Sequence, residues 1–143
     1  MTLPIPAHHH KNVRLYNPFG AGSESQEQQA LFRWWRIGGF RTFGLAACQL
    51  FAIPNGGKRG IATAARMKSE GVTAGIPDIF LAAPSGDKHG LFIELKRKDR
   101  GKLSTFQKAS MAALEAAGYA CVVAHGWEAA RQEIENYLTG GEQ

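Results

Sequence analysis

Two acids and an amine lie in two neighbouring apolar segments of this sequence. Asp78 opens the first segment, and Glu94 and Lys96 lie near the end of the second, residues 91–96. Because side chains alternate across a strand, Glu94 and Lys96 share one face. Residues 84–90 between the segments are rich in turn-forming types, which favours an antiparallel pair of strands. Such a pair places Asp78 near Glu94.

Two carboxylates and an ammonium group in one cleft are suited to the hydrolysis of a phosphodiester. Carboxylate oxygens suit Mg²⁺, which polarises the phosphodiester and lowers the pKa of a bound water. The lysine can orient that water or stabilise the developing negative charge. The alternative is a surface ion pair between Glu94 and Lys96, with Asp78 capping a turn. Residues 91–93 are apolar on both faces, as in a covered strand where an unpaired acid is costly, and this favours the metal site.

The spacing of these residues resembles a known signature. Gly75-x-Pro77-Asp78, fifteen intervening residues and Glu94-x-Lys96 resemble the active-site motif of the PD-(D/E)xK nuclease superfamily. Over residues 23–138 the chain resembles, more narrowly, the stand-alone VRR-NUC domains of phages and bacteria. The blocks that carry this resemblance are residues 53–57, 71–78, 92–96, 104–107 and 116–119.

The resemblance implies an α/β fold with a restriction-endonuclease-like αβββαβ core, in which helices flank a central mixed sheet. It also implies a DNA endonuclease that depends on Mg²⁺ or Mn²⁺. Small members of this family act on branched DNA, commonly four-way (Holliday) junctions, as homodimers. The element order that we read from the sequence agrees with this core: helix, strand, short helix, two paired strands, helix, strand, helix.

The resemblance further assigns roles at the site. Asp78 and Glu94 would be the principal metal ligands. Glu24 would complete the site directly or through water, and the backbone carbonyl of Leu95 would be a further ligand. Lys96 would position the attacking water.

The acid on the first helix has a competitor. Ser23 and Gln26 fit a capping box at the start of this helix, which glycines 38 and 39 end. Glu24 and Gln28 match the acid and the glutamine that the family carries four residues apart, but Glu27 also lies close to the apolar face. As an alternative, an acid in the first turn merely complements the helix dipole, which is worth roughly 0.3–1 kcal/mol.

Gln107 has two possible roles. With Ser104 it fits a capping box at the start of a helix that extends to Ala117, before the stop at Gly118. Gln107 also matches the family's glutamine near the active site. The sequence alone does not separate capping from catalytic support.

Basic residues follow two motifs. Two cations come after the glycine turn at residues 54–57, before a predicted helix at residues 61–70, where amides and charge together can hold phosphate. A second run, residues 97–102, lies beside the proposed cleft and would bind phosphates. In both places the alternative is a solvated surface. The predicted nucleic-acid-binding residues are Lys58, Arg59, Arg66, Arg97, Lys98, Arg100 and Lys102.

The length of 143 residues, with 44% apolar and 20% charged residues, is typical of one globular domain. We expect an N-terminal arm (1–22), a nuclease domain (23–138) and a C-terminal tail (139–143). No apolar run approaches the roughly 20 residues that span a bilayer, and no signal peptide is evident. We therefore expect a soluble protein in the cytoplasm of a bacterium or of a phage-infected host, without a membrane partner.

The net charge of +5 favours a polyanionic partner. Cys48 and Cys121 lie beside apolar residues without the close spacing of a zinc site, and we predict two reduced core cysteines.

Our leading interpretation is a metal-dependent DNA endonuclease. The alternative is a nucleic-acid-binding module in which the metal site is vestigial, and a third possibility is an α/β protein with a structural ion pair alone. Divalent-dependent cleavage separates the first from the others, and salt-dependent DNA binding separates the second from the third.

Overall fold

The centre of the molecule is a four-stranded sheet in the order β1-β2-β3-β4. The computed structural model describes residues 22–54 and 60–140. The strands are β1 Leu50–Ala52, β2 Ile79–Leu81, β3 Leu91–Lys96 and β4 Ala120–His125. The α-helices are α1 Glu24–Trp34, α2 Phe40–Thr42, α3 Ile61–Ser69, α4 Thr105–Ala116 and α5 Trp127–Thr139.

Some predicted features lie outside the described residues. They are residues 1–21 of the arm, Lys58 and Arg59 of the glycine loop, and residues 141–143 of the tail. The three predicted domain boundaries therefore stay predictions.

The sheet is mixed, as predicted. β2 pairs antiparallel with β1 and with β3, and Ile79 lies opposite Ile93. β4 runs parallel to β3 from Leu91 opposite Ala120 to Lys96 opposite His125. Parallel neighbours need a crossover connection, and α4 provides it. The predicted αβββαβ order is confirmed.

One face of β3 carries the main core. Leu91, Ile93 and Leu95 are fully buried in a cluster that includes Leu31 of α1, Trp35 directly after α1, and Ile134 of α5. Trp35 Nε1 also donates to the carbonyl of Ala47, at 2.9 Å. These contacts fix α1 against β3, so the N-terminal turn of α1 has a defined position relative to the end of this strand.

The opposite face of β3 is covered by α4 and by aromatic side chains. The rings of Phe80 and Phe92 have their centroids 4.4 Å apart, and Tyr119 lies 5.3 Å from Phe92. The thiol of Cys121 donates to the carbonyl of Met111 in α4, at 3.7 Å. β3 is therefore covered on both faces, which explains its continuous apolar run.

The end of α1 differs from the prediction. Instead of stopping at the two glycines, the chain widens into a π-helical turn, Trp35–Gly39, and Gly38 alone has non-helical backbone angles. Helical geometry then resumes in α2. The glycines interrupt the helix rather than end it, because the aromatic residues on both sides pack together: the Trp35 and Phe40 rings are 6.2 Å apart.

The prediction for the cysteines is wrong for Cys48. Its side chain is exposed because the residue lies in a single 3-10 turn, Ala47–Gln49, at the surface ahead of β1. Cys121 is half-buried, and burial, followed by the charge of Glu115, raises the pKa of its thiol to about 11. Neither cysteine is disulfide-bonded.

The described helices are all too short or too polar to cross a bilayer.

Candidate active site

Glu94 is the centre of a buried polar cluster on the α4 side of β3. Its Oε1 accepts hydrogen bonds from Lys96 Nζ at 2.7 Å and from Gln107 Nε2 at 2.6 Å. Its Oε2 is buried and has no hydrogen-bond partner among the described residues. Alternation along β3 brings Glu94 and Lys96 to one face, as predicted. One oxygen of the carboxylate is thus held by two donors, and the other is buried in the neighbourhood of Asp78.

Gln107 caps α4 and also contacts Glu94, while its predicted role in catalytic support stays a prediction. Its Oε1 accepts from the backbone N–H of Ser104 at 2.9 Å, which completes the capping box of α4. Its Nε2 donates to Glu94. The N-terminus of α4 is therefore joined to the acid by one side chain.

Asp78 is held next to this cluster by the backbone of β3. Its Oδ2 accepts from the backbone N–H of Leu95 at 3.0 Å, and its own carbonyl accepts from Ile53 N–H at 2.7 Å. Gly75 precedes it with a φ of +88° and lies so close to α4 that an added Cβ would be 2.7 Å from the Phe106 backbone. A side chain at position 75 would therefore push this segment away from α4.

Lys96 is also held along its aliphatic stem. Gly101, with a φ of +123°, lies against the stem, and an added Cβ would be 2.9 Å from Lys96 Cδ. The segment after β3 thus folds back over the lysine and leaves its ammonium directed at Glu94.

Burial dominates the electrostatics of the two acids. It raises the pKa of Asp78, although the Leu95 N–H and the charge of Lys96 oppose the rise. Burial also raises the pKa of Glu94, to about 6, against the hydrogen bond from Lys96 and with the help of the Asp78 charge. For Lys96, burial lowers the pKa, but the hydrogen bond and charge of Glu94 outweigh it and the pKa is raised. The charges of the three groups therefore act on one another, and burial is the main cause that raises the pKa of Glu94 to about 6.

The two candidate acids of α1 point to different places. Glu24 is exposed and lies, with Asp78, in the lining of a groove between α1 and β1. Its charge raises the pKa of Asp78 and of Glu94. Glu27 is buried, and its Oε2 accepts from the backbone N–H of Trp127 at 2.8 Å, at the first residue of α5. Glu24 is thus the acid near the cluster, and its role there stays a prediction.

The described basic residues that we predicted to bind nucleic acid are at the surface. Most of them pair with acids: Arg66 with Glu70, Arg97 and Arg100 with Asp99, and Lys98 with Glu128. Lys102 is exposed. The structure does not gather them around Glu94, so their DNA-binding role stays a prediction.

A groove between α1 and β1 adds residues that we did not predict. Besides Gln28, already matched to the family's glutamine, its lining includes Gln29 and Arg33 of α1 and Arg36 of the π-helical turn. Asp78 and Leu95 also line it, so the groove reaches the acids. The sequence signal that could have revealed these residues is their helical spacing. Gln29, Arg33 and Arg36 are four and three residues apart and therefore share one helix face.

The donors fit a hard divalent cation. In the part of the chain that the structure describes, no three acidic, histidine or cysteine side chains converge into a complete metal site. Mg²⁺ needs no such cage, because it keeps several waters and is usually held by one or two carboxylates. The buried Oε2 of Glu94, without a partner and next to Asp78, is the donor that such an ion would satisfy.

Comparisons with known proteins agree with this geometry. The profile of the VRR-NUC domain family matches residues 22–128. A solved structure of a VRR-NUC domain protein superposes with a TM-score of 0.71 at 28% sequence identity, over 85% of this chain and 93% of the other. No curated protein matches the chain. The match is consistent with the PD-(D/E)xK superfamily, and it covers the segments that supply Asp78, Glu94 and Lys96. The chain therefore belongs to the VRR-NUC family and is a nuclease-type domain.

Proposed function

We propose that the chain is a Mg²⁺- or Mn²⁺-dependent endonuclease that hydrolyses phosphodiester bonds in DNA. The observation that carries this proposal is Glu94, a buried acid with one oxygen held by Lys96 and Gln107 and the other without a partner. Buried acids next to a phosphate would weaken a protein that only binds DNA, since like charges repel. A hydrolase that holds a cation needs them.

Asp78 and Glu94 would hold the cation, with Glu24 completing the site directly or through water and with the Leu95 carbonyl as a further ligand. The ion would supply Lewis-acid polarisation of the phosphodiester and a bound water of lowered pKa. Lys96 would orient the attacking water and stabilise the negative charge that develops on the phosphate oxygens. Gln107 would keep the Glu94 carboxylate in place through its 2.6 Å hydrogen bond.

We further propose branched DNA, such as four-way junctions, as the preferred substrate and a homodimer as the active form. Support comes from the resemblance to small VRR-NUC domains. A junction has two strands to cut, and a two-fold dimer presents two symmetric sites. The expected location is the cytoplasm of a bacterium or of a phage-infected host.

The test is cleavage of labelled linear, flap and four-way DNA by the purified chain, with Mg²⁺, with Mn²⁺ and with EDTA. We expect cleavage only with the divalent ion and most readily on the four-way substrate. Glu94→Gln and Asp78→Asn should each lower the rate roughly 10²- to 10⁴-fold, the value of several kcal/mol of lost charge stabilisation. Metal-free DNA binding should be kept or strengthened in both variants.

Asp87→Asn is the matched control, because Asp87 is an exposed acid in the turn between β2 and β3. Its rate should equal that of the unmodified chain. Cleavage that persists in EDTA, or a normal rate in the Glu94 variant, contradicts the proposal.

A non-catalytic nucleic-acid-binding module is the second candidate. The observation in its favour is that Lys96 already neutralises Glu94 at 2.7 Å, as in a structural ion pair. This candidate predicts salt-dependent DNA binding without cleavage on any substrate. It also predicts that Glu94→Gln and the unmodified chain behave alike in Mg²⁺.

A further inference from the structure

One wall of the groove between α1 and β1 is a stripe of mainly polar side chains along the first helix. Its members are three or four positions apart and therefore lie on one helix face: Ser25, Gln28, Gln29, Phe32, Arg33 and Arg36. The groove has a volume of about 1200 Å³, above the roughly 300–1,000 Å³ of small-molecule sites. It is therefore large enough to hold part of a polymer.

The two ends of this stripe differ in charge. At one end, Glu24 is the first residue of α1 and lines the groove together with Asp78. The lining residues that follow Glu24 along the helix include no acid, and the stripe ends at Arg36, twelve residues further. At 1.5 Å per helical residue, Arg36 lies about 18 Å from Glu24 along the axis. A polyanion with one phosphate at the acids would meet only neutral or positive side chains along this wall.

Arg36 carries a positive charge that no carboxylate neutralises. Its guanidinium lies 5.5 Å from the centre of the Phe32 ring, and among the described residues it forms no ion pair. The preceding residue, Trp35, is fully buried and donates to the Ala47 carbonyl, so the turn that carries Arg36 has a fixed position. An arginine held in place without an acid to displace is suited to phosphate, which a guanidinium can bind through two parallel hydrogen bonds.

We propose that this helix wall binds the phosphate backbone of the cleaved DNA strand on one side of the scissile phosphate, with Gln29 beside the backbone and Arg36 at a phosphate. The inference rests on the proposed function and deepens it, because it gives the direction in which the DNA leaves the acids. Phosphates of one strand rise about 3.4 Å per nucleotide along a duplex, so 18 Å corresponds to at most about five nucleotides.

The first test measures DNA affinity in the absence of cleavage. Fluorescent four-way DNA is titrated with the chain in EDTA, over a range of salt concentrations. Arg36→Gln should weaken binding about tenfold at low salt, as for one lost charged hydrogen bond. It should also reduce the slope of log affinity against log salt by about 0.9, the share of one phosphate contact.

Arg41→Gln is the matched control. Arg41 is an exposed arginine whose guanidinium also lies over a phenylalanine ring, 5.0 Å from the centre of Phe40, and it does not line the groove. Its affinity and salt slope should stay unchanged. Equal losses in the Arg36 and Arg41 variants would overturn the proposal.

An added charge in the middle of the stripe keeps the proposal testable if Arg36→Gln fails to fold. Gln29 is exposed, and its Nε2 donates to Ser25 Oγ at 3.2 Å. Gln29→Glu should weaken binding about fivefold at low salt and less at high salt, because the new carboxylate would repel the phosphates. Gln132→Glu is its control, since Gln132 of α5 is also exposed and bonds to a side chain four residues away, that of Asn136, outside the groove. If both new acids weaken binding equally, the backbone does not follow this groove.

The position of the contact is tested with DNA in which one phosphate at a time is replaced by an uncharged methylphosphonate. Cleavage by the unmodified chain in Mg²⁺ first locates the scissile phosphate. At a phosphate within about five nucleotides of it, on one side only, the replacement should weaken binding by the unmodified chain but not by Arg36→Gln, which has already lost that contact. If the Arg36 variant shows the full additional loss at every phosphate in this window, the proposal is wrong.

The outcomes also separate the groove from the nuclease function. Cleavage that depends on Mg²⁺, with unchanged DNA affinity in both the Arg36 and the Gln29 variants, would overturn the groove and keep the nuclease. Salt-dependent binding that both variants weaken, without cleavage in Mg²⁺, would reject the nuclease function and leave the groove as a site for the DNA backbone.

Discussion

Two lysines that are two residues apart, Lys96 at the end of β3 and Lys98 just after it, form ion pairs of almost equal length with glutamates. Lys96 and Glu94 are 2.7 Å apart with side chains that are 9% and 2% exposed, whereas Lys98 and Glu128 are 2.8 Å apart and 44% and 54% exposed. An exposed pair contributes about 0–1 kcal/mol and is screened by salt. A buried pair pays a desolvation penalty that often exceeds the attraction, so its presence is a poor argument for stability. The comparison teaches that distance does not distinguish these pairs and that burial does.

The buried pair also has what the exposed pair lacks, a third partner and an unsatisfied oxygen. Gln107 holds one oxygen of Glu94, and the other has no partner among the described residues. Lys98 and Glu128 instead join the segment after β3 to the start of α5 at the surface. We interpret the first pair as the reaction centre and the second as a surface contact.

We expect the largest effect from a substitution that breaks the buried ion pair. Lys96→Met keeps the packing of the stem but removes the charge, so kcat for DNA cleavage should fall about 10²- to 10⁴-fold, as for other lost electrostatic contacts in a transition state. DNA affinity should change little. The same substitution at Lys98 should change kcat less than about threefold, because an exposed pair contributes little. Single-turnover kinetics and binding titrations measure both, and similar kcat losses in the two variants would contradict the comparison.

The pH dependence sharpens the role of Glu94. Burial raises its pKa from 4.5 to about 6, so it must lose its proton to hold a cation, and cleavage should fall as pH drops through about 6. The fall should approach tenfold per pH unit. A higher Mg²⁺ concentration should move the acidic limb of the pH–rate profile to lower pH, because the cation competes with the proton for Glu94. A limb that does not respond to Mg²⁺ would assign the titration to another group.

The same raised pKa of Glu94 has the opposite consequence for the folding stability of the metal-free protein, which falls when Glu94 loses its proton. An acid whose pKa is raised by folding favours the folded state only while protonated, so its contribution is lost as pH rises from about 4.5 to 6. In EDTA, the melting temperature of the unmodified chain should therefore lose this contribution over that pH range, and that of the Glu94→Gln protein should not.

A further prediction separates the two acids of α1. Glu24→Gln should raise the Mg²⁺ concentration needed for half-maximal cleavage several-fold, with an unchanged melting temperature. Glu27→Gln should leave the Mg²⁺ titration unchanged and lower the free energy of unfolding by about 1 kcal/mol, since it weakens a charged hydrogen bond at the N-terminus of α5. If only the Glu27 variant changes the Mg²⁺ requirement, the assignment of Glu24 is wrong.

The smallest effect concerns the exposed segment after β3. Asp99 pairs with Arg97 at 3.6 Å and with Arg100 at 3.4 Å. Asp99→Asn would release both arginines for phosphate, so duplex affinity should rise about two- to threefold at low salt and less at high salt, in keeping with weak surface pairs. Unchanged duplex affinity in this variant would show that the segment does not contact DNA.

Much of the fold followed from local patterns in the sequence. The turn-rich residues 84–90 and the two apolar segments predicted the β2–β3 pair, and alternation predicted that Glu94 and Lys96 share a face. The capping boxes of α1 and α4 were readable for the same reason, because each involves residues three positions apart.

The features that we missed depend on packing between distant segments. Glu27 bonds to Trp127, one hundred residues away, so only the docking of α5 shows that it serves the fold. Gln29 and Arg33 line one groove with Asp78 only because α1 lies beside β1. The exposed Cys48 was predicted to be buried because its apolar neighbours were given more weight than its place in a surface turn.

Titration of Mn²⁺ into the protein at neutral pH, followed by calorimetry, tests the central claim most directly. The claim is that the Glu94 carboxylate, next to Asp78, holds a divalent cation. The unmodified chain and Asp87→Asn should show a saturable heat of binding with Mn²⁺. Glu94→Gln, folded by its thermal melt, should show no such binding. Equal binding of Mn²⁺ by Glu94→Gln and the unmodified chain would contradict the account.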